Sequence, residues 1–420
     1  MGTKRILLSI LTLINLAETC SAGGKEVNDS NLFSDILNRE TLMDGFWGLN
    51  EKLAPLGIEI GLGLTTVYQT NVHGGLSTNE HRGRHIGRYD LELSADLDTL
   101  LGVEGGKLFI LGWGGWPDIE GIDGHSVGSA WGINALSYGN RSMDIVEFFY
   151  EGPFFNNDLM IAIGKLDFTG IFDASEYADD ECCQFLNASL VDDPTIPFPE
   201  QGLGIVLNWD ITDTWYLMGG IADAQADSRE TGFRTTFYDE DYFFYSVETG
   251  KTIELDSANG PMSGTYRFGI WVDGQDKARF SNSQINREDT GFYASCDQML
   301  YKENNDMEDS QGLGGFFRYG WADSNVNEVT DFLSAGLQYQ GFIEKRDDDV
   351  LALGFAYGAF SNKAVGSYPE DYESVTELYY NAQFSPWLNV TPSVQYIANP
   401  GGVKGVSDAV VFALRVQMSF

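Results

Sequence analysis

The last residues of the chain alternate strictly in polarity. Every even position from Val410 to Phe420 is large and apolar, whereas the odd positions end in Arg415, Gln417 and Ser419. A period of two is typical of a β-strand with one apolar face and one polar face. A soluble sandwich would rarely end on an exposed aromatic residue, whereas a closed barrel in lipid turns its apolar face to acyl chains and its polar face to a lumen. The sequence therefore favours a transmembrane β-barrel.

The same alternation recurs throughout the chain, and it is especially regular from Arg88 to Leu97 and from Thr265 to Asp273. No internal apolar run reaches the about 20 residues that a transmembrane helix needs. An even number of strands is usual in bacterial single-chain barrels. We therefore predict an all-β fold, an antiparallel transmembrane β-barrel of sixteen strands over residues 57–420. The candidate strands begin near Gly57, Gly87, Gly106, Met143, Asp158, Leu203, Thr214, Asp241, Gly264, Asp289, Gly312, Phe332, Asp349, Ser374, Leu388 and Ala409.

The first 56 residues differ from the rest. Lys4 and Arg5 precede an apolar run that ends at Ala17, and small residues at Ser21 and Ala22 suit cleavage, so residues 1–22 are predicted to be a secretory signal peptide. Apolar residues at helical spacing predict a short helical segment within residues 23–56. We expect this segment either to plug or cap the lumen or to remain a flexible leader.

Acidic residues dominate the composition. The chain has 62 Asp and Glu against 25 Lys and Arg, a formal net charge of −37. Because nucleic-acid phosphates would repel such a protein, nucleic acid is excluded as a partner. Once the signal peptide is removed, the remaining cysteines are Cys182, Cys183 and Cys296, whose pairing the sequence leaves open. They form no CxxC motif, and neither a metal nor a cofactor is predicted.

Short stretches along the chain form a recognisable set in a fixed order. They include Leu53-Ala54-Pro55-Leu56-Gly57-Ile58, Gly164-Lys165-Leu166-Asp167, Phe185-Leu186-Asn187, Tyr266-Arg267-Phe268-Gly269, Arg346-Asp347-Asp348-Asp349, Glu377-Leu378-Tyr379-Tyr380 and Asn399-Pro400-Gly401-Gly402. Together these stretches resemble one protein family, the OprB-type carbohydrate-selective porins of bacterial outer membranes. The sequence departs from that family in its acidity, in residues 239–246 and in the adjacent cysteines Cys182 and Cys183.

This resemblance implies a porin that passes mono- or oligosaccharides by passive diffusion through a narrowed lumen. It also implies an outer-membrane location, with lipid and lipopolysaccharide as surroundings. The terminal aromatic strand is similar to the insertion signal of outer-membrane barrels, which implies that Phe420 is recognised by the barrel-assembly machinery.

Charged and aromatic side chains on the polar strand faces are the candidate substrate-binding residues. Charged groups form strong hydrogen bonds to hydroxyls, and aromatic faces match the C–H faces of sugars. Arg or Lys facing lipid at the midplane would cost about 2–4 kcal/mol, which places these residues inward. Each of them could instead be a structural residue bonded to its neighbours in the wall. The candidates are Arg88, Asp90, Glu92, Glu147, Arg267, Trp271, Arg318 and Arg415.

Three other functions are alternatives to a carbohydrate channel. An acidic lumen would suit a general cation-preferring porin. An enzyme could use a pair of carboxylates as glycosidases do, but the chain has neither a nucleophile elbow nor an HExxH motif. A non-conducting barrel is disfavoured by small inward residues such as Gly354, Ala356 and Gly358, which we expect to leave space in the lumen.

Overall fold

The computed structural model describes residues 36–80, 82–117, 121–155, 158–238, 241–282, 284–306, 310–364 and 368–420. Sixteen long strands form one closed antiparallel barrel, in which the first strand, Ile58–Gly75, pairs with the last, Ser407–Ser419, so the predicted fold is confirmed. Two further two-residue strands, Lys277–Ala278 and Ile285–Asn286, form a hairpin of their own between two strands of the barrel. Among the described residues, no helix combines the length and apolarity needed to span a membrane.

The predicted strand starts agree closely with the observed ones. The largest offsets are at the strand Gly83–Asp96, predicted to begin at Gly87, and at the strand Gly260–Asp273, predicted to begin at Gly264. The strands are β1 (Ile58–Gly75), β2 (Gly83–Asp96), β3 (Lys107–Trp116), β4 (Arg141–Phe154), β5 (Leu159–Leu166), β6 (Gly202–Thr212), β7 (Trp215–Asp223), β8 (Phe243–Ser257), β9 (Gly260–Asp273), β10 (Lys277–Ala278), β11 (Ile285–Asn286), β12 (Asp289–Lys302), β13 (Gly312–Ala322), β14 (Val329–Gln340), β15 (Val350–Phe360), β16 (Tyr372–Ser385), β17 (Leu388–Ala398) and β18 (Ser407–Ser419).

The alternation in sequence becomes an alternation between the two faces of the wall. In β18, Phe412 and Leu414 are 50% and 47% exposed, whereas Val411 and Arg415 are 0% and 1% exposed. The inward side chains pack with residues from the loops, so the buried core lies inside the barrel. The outer surface carries the large apolar residues, as lipid requires.

Connections at the two ends of the barrel differ in length. Tight turns at residues 213–214, 258–259 and 386–387 lie at one end. The longest connections, residues 117–140 and 167–201, lie at the other. Transmembrane barrels have short periplasmic turns and longer outer loops, so the end with the long connections is the outer end.

The described part of the N-terminal segment lies at the tight-turn end. The Leu42 N–H donates to the Ser419 carbonyl over 2.9 Å, and Trp387 Nε1 donates to the Ile36 carbonyl over 2.8 Å. Residues 1–35, which include the predicted signal peptide, lie outside the described residues. A plugging or capping role for residues 23–56 remains a prediction.

Helices are few and short in the described residues. The first, α1, ends in a right-handed turn, but its residues Gly45 to Gly48 have φ angles between 57° and 75°. The second, α2, begins where the Asp96 carboxylate accepts the N–H groups of Asp98 and Thr99, a typical N-cap. The helices are α1 (Asp44–Leu53), α2 (Leu97–Leu101), α3 (Ala188–Val191) and α4 (Phe233–Phe237), with single turns at Ala54–Leu56, Asp123–Val127 and Pro400–Gly402.

Candidate functional site: the lumen

The connection between β5 and β6, residues 167–201, folds into the barrel and is called here the inner loop. Its apolar side chains Phe168, Phe172 and Phe185 are at most 1% exposed. They fit against wall positions without side chains: a Cβ added at Gly220 would lie 2.9 Å from the Phe168 ring, and one added at Gly354 would lie 2.8 Å from the Phe185 ring. The inner loop therefore fills much of the lumen.

This packing corrects one expectation. Gly354 and Gly358 were expected to leave open space in the lumen. Instead, Phe185 lies against Gly354, and a Cβ added at Gly358 would be 2.5 Å from the ring of Trp131, in the connection 117–140. The small residues make room for side chains of these two connections, so they give no argument for an open channel.

Buried carboxylates of the wall hold the inner loop by its backbone. Glu377 accepts the N–H groups of Leu186 and Asn187 over 3.1 and 2.9 Å. Glu248 accepts the Asp173 N–H over 2.8 Å, together with two tyrosine hydroxyls. Sequence reasoning missed both anchors. The available signal was an acidic residue at an inward position of a strand, which says where the carboxylate points but not what it binds.

Arg318 is a third anchor of the inner loop, and it is 1% exposed. Its Nη1 donates to the carbonyls of Leu190 and Val191 over 3.1 and 2.8 Å. Its guanidinium also lies 3.4 Å from Asp173 and 3.5 Å from Asp179. The residue points into the barrel as the alternation indicates, but its donors face the loop rather than open lumen.

Arg267 and Trp271 share the inward face of β9 but do not form one site. Arg267 Nη1 donates to Asp297 over 2.7 Å, and Asp297 also accepts the Ser175 hydroxyl of the inner loop over 2.6 Å. Trp271 is 1% exposed and stacks on Phe244, with ring centroids 6.4 Å apart. The Trp271 ring therefore packs in the interior rather than lining free space.

Arg88, Asp90 and Arg415 come together on the opposite side of the lumen. Arg88 bonds Asp90 over 2.8 Å and Glu181 of the inner loop over 2.5 Å, and its guanidinium lies 4.2 Å from the Trp113 ring centroid. Arg415 Nη1 donates to the Glu181 carbonyl over 2.8 Å. Three residues from β2 and β18 thus meet around one point of the loop.

The carboxylates near this cluster remain partly exposed. The side chains of Asp90 and Glu181 are 13% and 17% exposed, and Glu92 is also only partly buried. Facing them, β1 has glycines: a Cβ added at Gly61 would lie 3.5 Å from Glu92, and one at Gly63 would lie 3.4 Å from Asp90. The lumen here has partly exposed acceptors beside two positions of β1 that lack side chains, Gly61 and Gly63.

Glu147 lies on β4 and is 6% exposed. Within the described part of the chain, no Lys or Arg lies within salt-bridge distance of Glu92 or Glu147. The eight predicted residues therefore fall into three groups. Arg88, Asp90 and Arg415 meet around Glu181, with Glu92 next to them; Arg267, Trp271 and Arg318 pack against other interior groups; and Glu147 lies apart.

The surroundings of several ionisable groups in the inner loop shift their pKa values. Burial raises the pKa of Asp192 to about 7, although the nearby Arg318 opposes this shift. Burial, with a contribution from Asp297, likewise raises the pKa of Glu176 to about 7. Burial also raises the pKa of the Cys182 thiol well above its usual range. None of the three cysteines, Cys182, Cys183 and Cys296, is in a disulfide.

Residues 80–420 match the family described as "Carbohydrate-selective porin, OprB family". The chain belongs to the OprB family. As an OprB-family protein it is a channel protein rather than an enzyme, and the family together with the β-barrel fold implies the outer membrane.

This OprB-family chain is 22% identical to Porin B of Pseudomonas aeruginosa, over 91% of the chain and 92% of the relative. It is 21% identical to the putative porin QuiX of Acinetobacter baylyi, over 91% and 94%. Among solved structures, the high pH structure of Pseudomonas putida OprB superposes with a TM-score of 0.78 at 18% identity, covering 91% of this chain and 99% of that one. At that identity the structural likeness shows the fold alone.

Proposed function

We propose that the barrel carries small sugars passively across the outer membrane, through the part of the lumen between β1, β2 and the inner loop. The observation that supports this most is the row of partly exposed carboxylates, Asp90, Glu92 and Glu181, beside the side-chain-free positions Gly61 and Gly63. By contrast, the wall carboxylates Glu248 and Glu377 accept hydrogen bonds from backbone groups of the inner loop. The membership of the carbohydrate-selective OprB family agrees with this function.

A sugar that enters a narrow pore must exchange water for protein hydrogen bonds that are strong enough to admit it and weak enough to release it. Carboxylates accept hydrogen bonds from sugar hydroxyls. Arg88 holds Asp90 and Glu181 in place, because its Nε and Nη1 donate to them. It also covers one face of Trp113 at 4.2 Å, so the cluster is arranged for hydrogen bonding rather than ring stacking.

The identity of the solutes, the lipid around the barrel and the export of the chain are proposals of the same kind. Mono- and oligosaccharides are the solutes, lipopolysaccharide surrounds the barrel, and a cleaved signal peptide directs the chain across the inner membrane. The Phe420 N–H donates to the Leu62 carbonyl over 2.9 Å, which joins the chain end to β1. That position suits recognition of Phe420 by the assembly machinery while β1 and β18 close.

Substitution of Asp90 by Asn tests the proposed passage in planar bilayers, with block of ion current by glucose and by a short oligosaccharide as the readout. A hydrogen bond to a charged group is worth about 1.5–3 kcal/mol, so we expect the Asp90→Asn variant to weaken sugar block about tenfold or more.

Asp213→Asn is the matched control, because Asp213 is an exposed carboxylate in the tight turn 213–214. The Asp213→Asn variant makes the same charge change in the turn between β6 and β7, at the tight-turn end of the barrel. The passage assignment is wrong if Asp90→Asn and Asp213→Asn leave sugar block equally unchanged. If the wild-type current shows no sugar block at all, carbohydrate selectivity itself fails.

A general cation-preferring porin is the second candidate, and one observation favours it. The partly buried Glu92 has no Lys or Arg at salt-bridge distance among the described residues, so a cation that passes it meets an acceptor without a cationic partner. The reversal potential in a salt gradient separates the two functions. Strong cation preference without sugar block supports the general porin, whereas sugar block supports the carbohydrate channel.

A further inference from the structure

Residues 224–238, called here the flap, follow the outer end of β7 and fold over the outside of the barrel wall. Lys165 shows which side they cover. Its cross-strand partners are Phe148 and Leu203, and directly paired residues of an antiparallel sheet point to the same face. Phe148 is 50% exposed on the outer surface, whereas its neighbour Phe149 packs in the interior. Lys165 therefore points outward.

The flap buries this outward lysine, which is 4% exposed. Lys165 Nζ donates to the carbonyls of Ser228 and Glu230, both over 2.6 Å, and to the Ile145 carbonyl of β4 over 2.8 Å. An uncovered lysine on the lipid face would be costly, and the cost falls toward the edges of the membrane. The flap carbonyls take the place of water around the ammonium.

A second outward charge is covered in the same way. Asp223, the last residue of β7, lies two positions after Ile221 and therefore on the same face of the strand. Ile221 is 47% exposed on the outer surface, whereas Asp223 is 1% exposed. Its carboxylate accepts the Thr236 hydroxyl of α4 over 2.9 Å. Between the two charges, Gly232 lies on outward-facing Leu203, since a Cβ added at Gly232 would be 2.8 Å from Leu203 Cγ. The flap thus lies across the outer faces of β5, β6 and β7.

The free side of the flap is aromatic. Phe233 and Phe237 lie four residues apart on α4, which puts them on the same side, and their ring centroids are 6.3 Å apart. They are 61% and 63% exposed, and Tyr238 beside them is 68% exposed. The strands beneath carry the lipid-facing Ile205 and Ile221, so the aromatic side continues the apolar surface of the wall.

We propose that the flap is an interfacial anchor, and that Phe233 and Phe237 insert into the acyl layer of the outer leaflet. The occupant is lipid rather than another protein, because the patch is continuous with the lipid-facing surface of β6 and β7. Aromatic residues concentrate at the membrane–water interface, where an apolar ring meets acyl chains while the backbone meets polar groups. This anchor goes beyond solute passage and does not depend on which solute passes.

Site-directed spin labelling tests the anchor in bilayers of phosphatidylcholine and phosphatidylglycerol. In a background with Cys182, Cys183 and Cys296 replaced by Ser, a nitroxide is attached to Phe237→Cys or, independently, to Phe233→Cys. Ile205→Cys serves as the lipid-facing reference. Ile285→Cys is the control, since Ile285 is 57% exposed on the hairpin of β10 and β11 in another outer connection.

We expect the ratio of oxygen to nickel-complex accessibility at both flap positions to approach that of Ile205 and to exceed that of Ile285 several-fold. A flap ratio equal to that of Ile285 would overturn the anchor. Spin–spin broadening at the flap that disappears on dilution with unlabelled protein would also overturn it, because the occupant would then be a second copy of the chain.

Discussion

Two connections at the outer end of the barrel fold in opposite directions. The inner loop, residues 167–201, enters the lumen, and its Phe168 and Phe185 fit against wall glycines. The flap, residues 224–238, covers the outside, and its Phe233 and Phe237 remain more than 60% exposed. Both connections are long, and both carry aromatic residues. They differ in the face of the barrel wall on which each one packs.

The polar contacts of the two connections are alike. Inside, Arg318 donates to the carbonyls of Leu190 and Val191. Outside, Lys165 donates to the carbonyls of Ser228 and Glu230. A cation on a strand thus fixes the position of each connection through its backbone. The apolar side chains of the two connections have different surroundings. The inner face of the wall has space for them at glycines, whereas the outer face contacts lipid.

The largest effect is expected from Arg318→Ala. This substitution leaves Asp173 and the carbonyls of Leu190 and Val191 without their buried cation. Removing one partner of a buried ion pair costs about 3–5 kcal/mol, so the inner loop should be released from the wall. We expect a larger single-channel conductance and faster proteolysis of the loop.

Arg141→Ala is the control for that experiment, because Arg141 is 42% exposed and lies 4.0 Å from Asp144. Exposed pairs contribute about 0–1 kcal/mol, so this variant should conduct like the wild type. Unchanged conductance in Arg318→Ala would show that the inner loop is held without this anchor.

A smaller effect is expected from Lys165→Met, which keeps the length of the side chain but removes its donors. Three carbonyls, those of Ile145, Ser228 and Glu230, lose a hydrogen bond. Leaving a buried polar group unsatisfied costs about 1–3 kcal/mol. The flap should loosen while the pore stays the same, so a nitroxide at Phe237 should become more mobile without any change in conductance. A change in conductance without a change in flap mobility would contradict the separation of the two connections.

The sequence predicted the wall well because strand parity is a local property. In β9, for example, Arg267 and Phe268 alternate between an interior ion pair and a half-exposed outer position, as a period of two requires. The alternation within each strand shows which residues lie on each of its two faces, and the short turns between strands fix the pairing. The barrel therefore follows from patterns that span only a few residues.

The lumen could not be predicted in the same way, because its contacts join distant parts of the chain. Glu377 binds backbone groups at Leu186, which lies 191 positions earlier. Strand parity shows that Glu377 and Arg318 point inward, but it cannot show that a loop fills the space in front of them. Lys165 is a harder case, since it points outward and is buried only because the flap covers it.

The smallest effect concerns pH and the inner loop, where burial raises the pKa of Asp192 to about 7 from an ordinary value of 3.8. Between these two values the folded loop holds a proton that the unfolded chain has released, so stability falls as the pH rises through this window and changes little above it. Acidification from about pH 8 to about pH 5 should therefore raise the midpoint of thermal unfolding. The variant Asp192→Asn, which has no proton to release, should show a flatter response over the same range. If both proteins respond equally, Asp192 does not couple the packing of the inner loop to pH, and Glu176, whose pKa is also about 7, becomes the next carboxylate to replace.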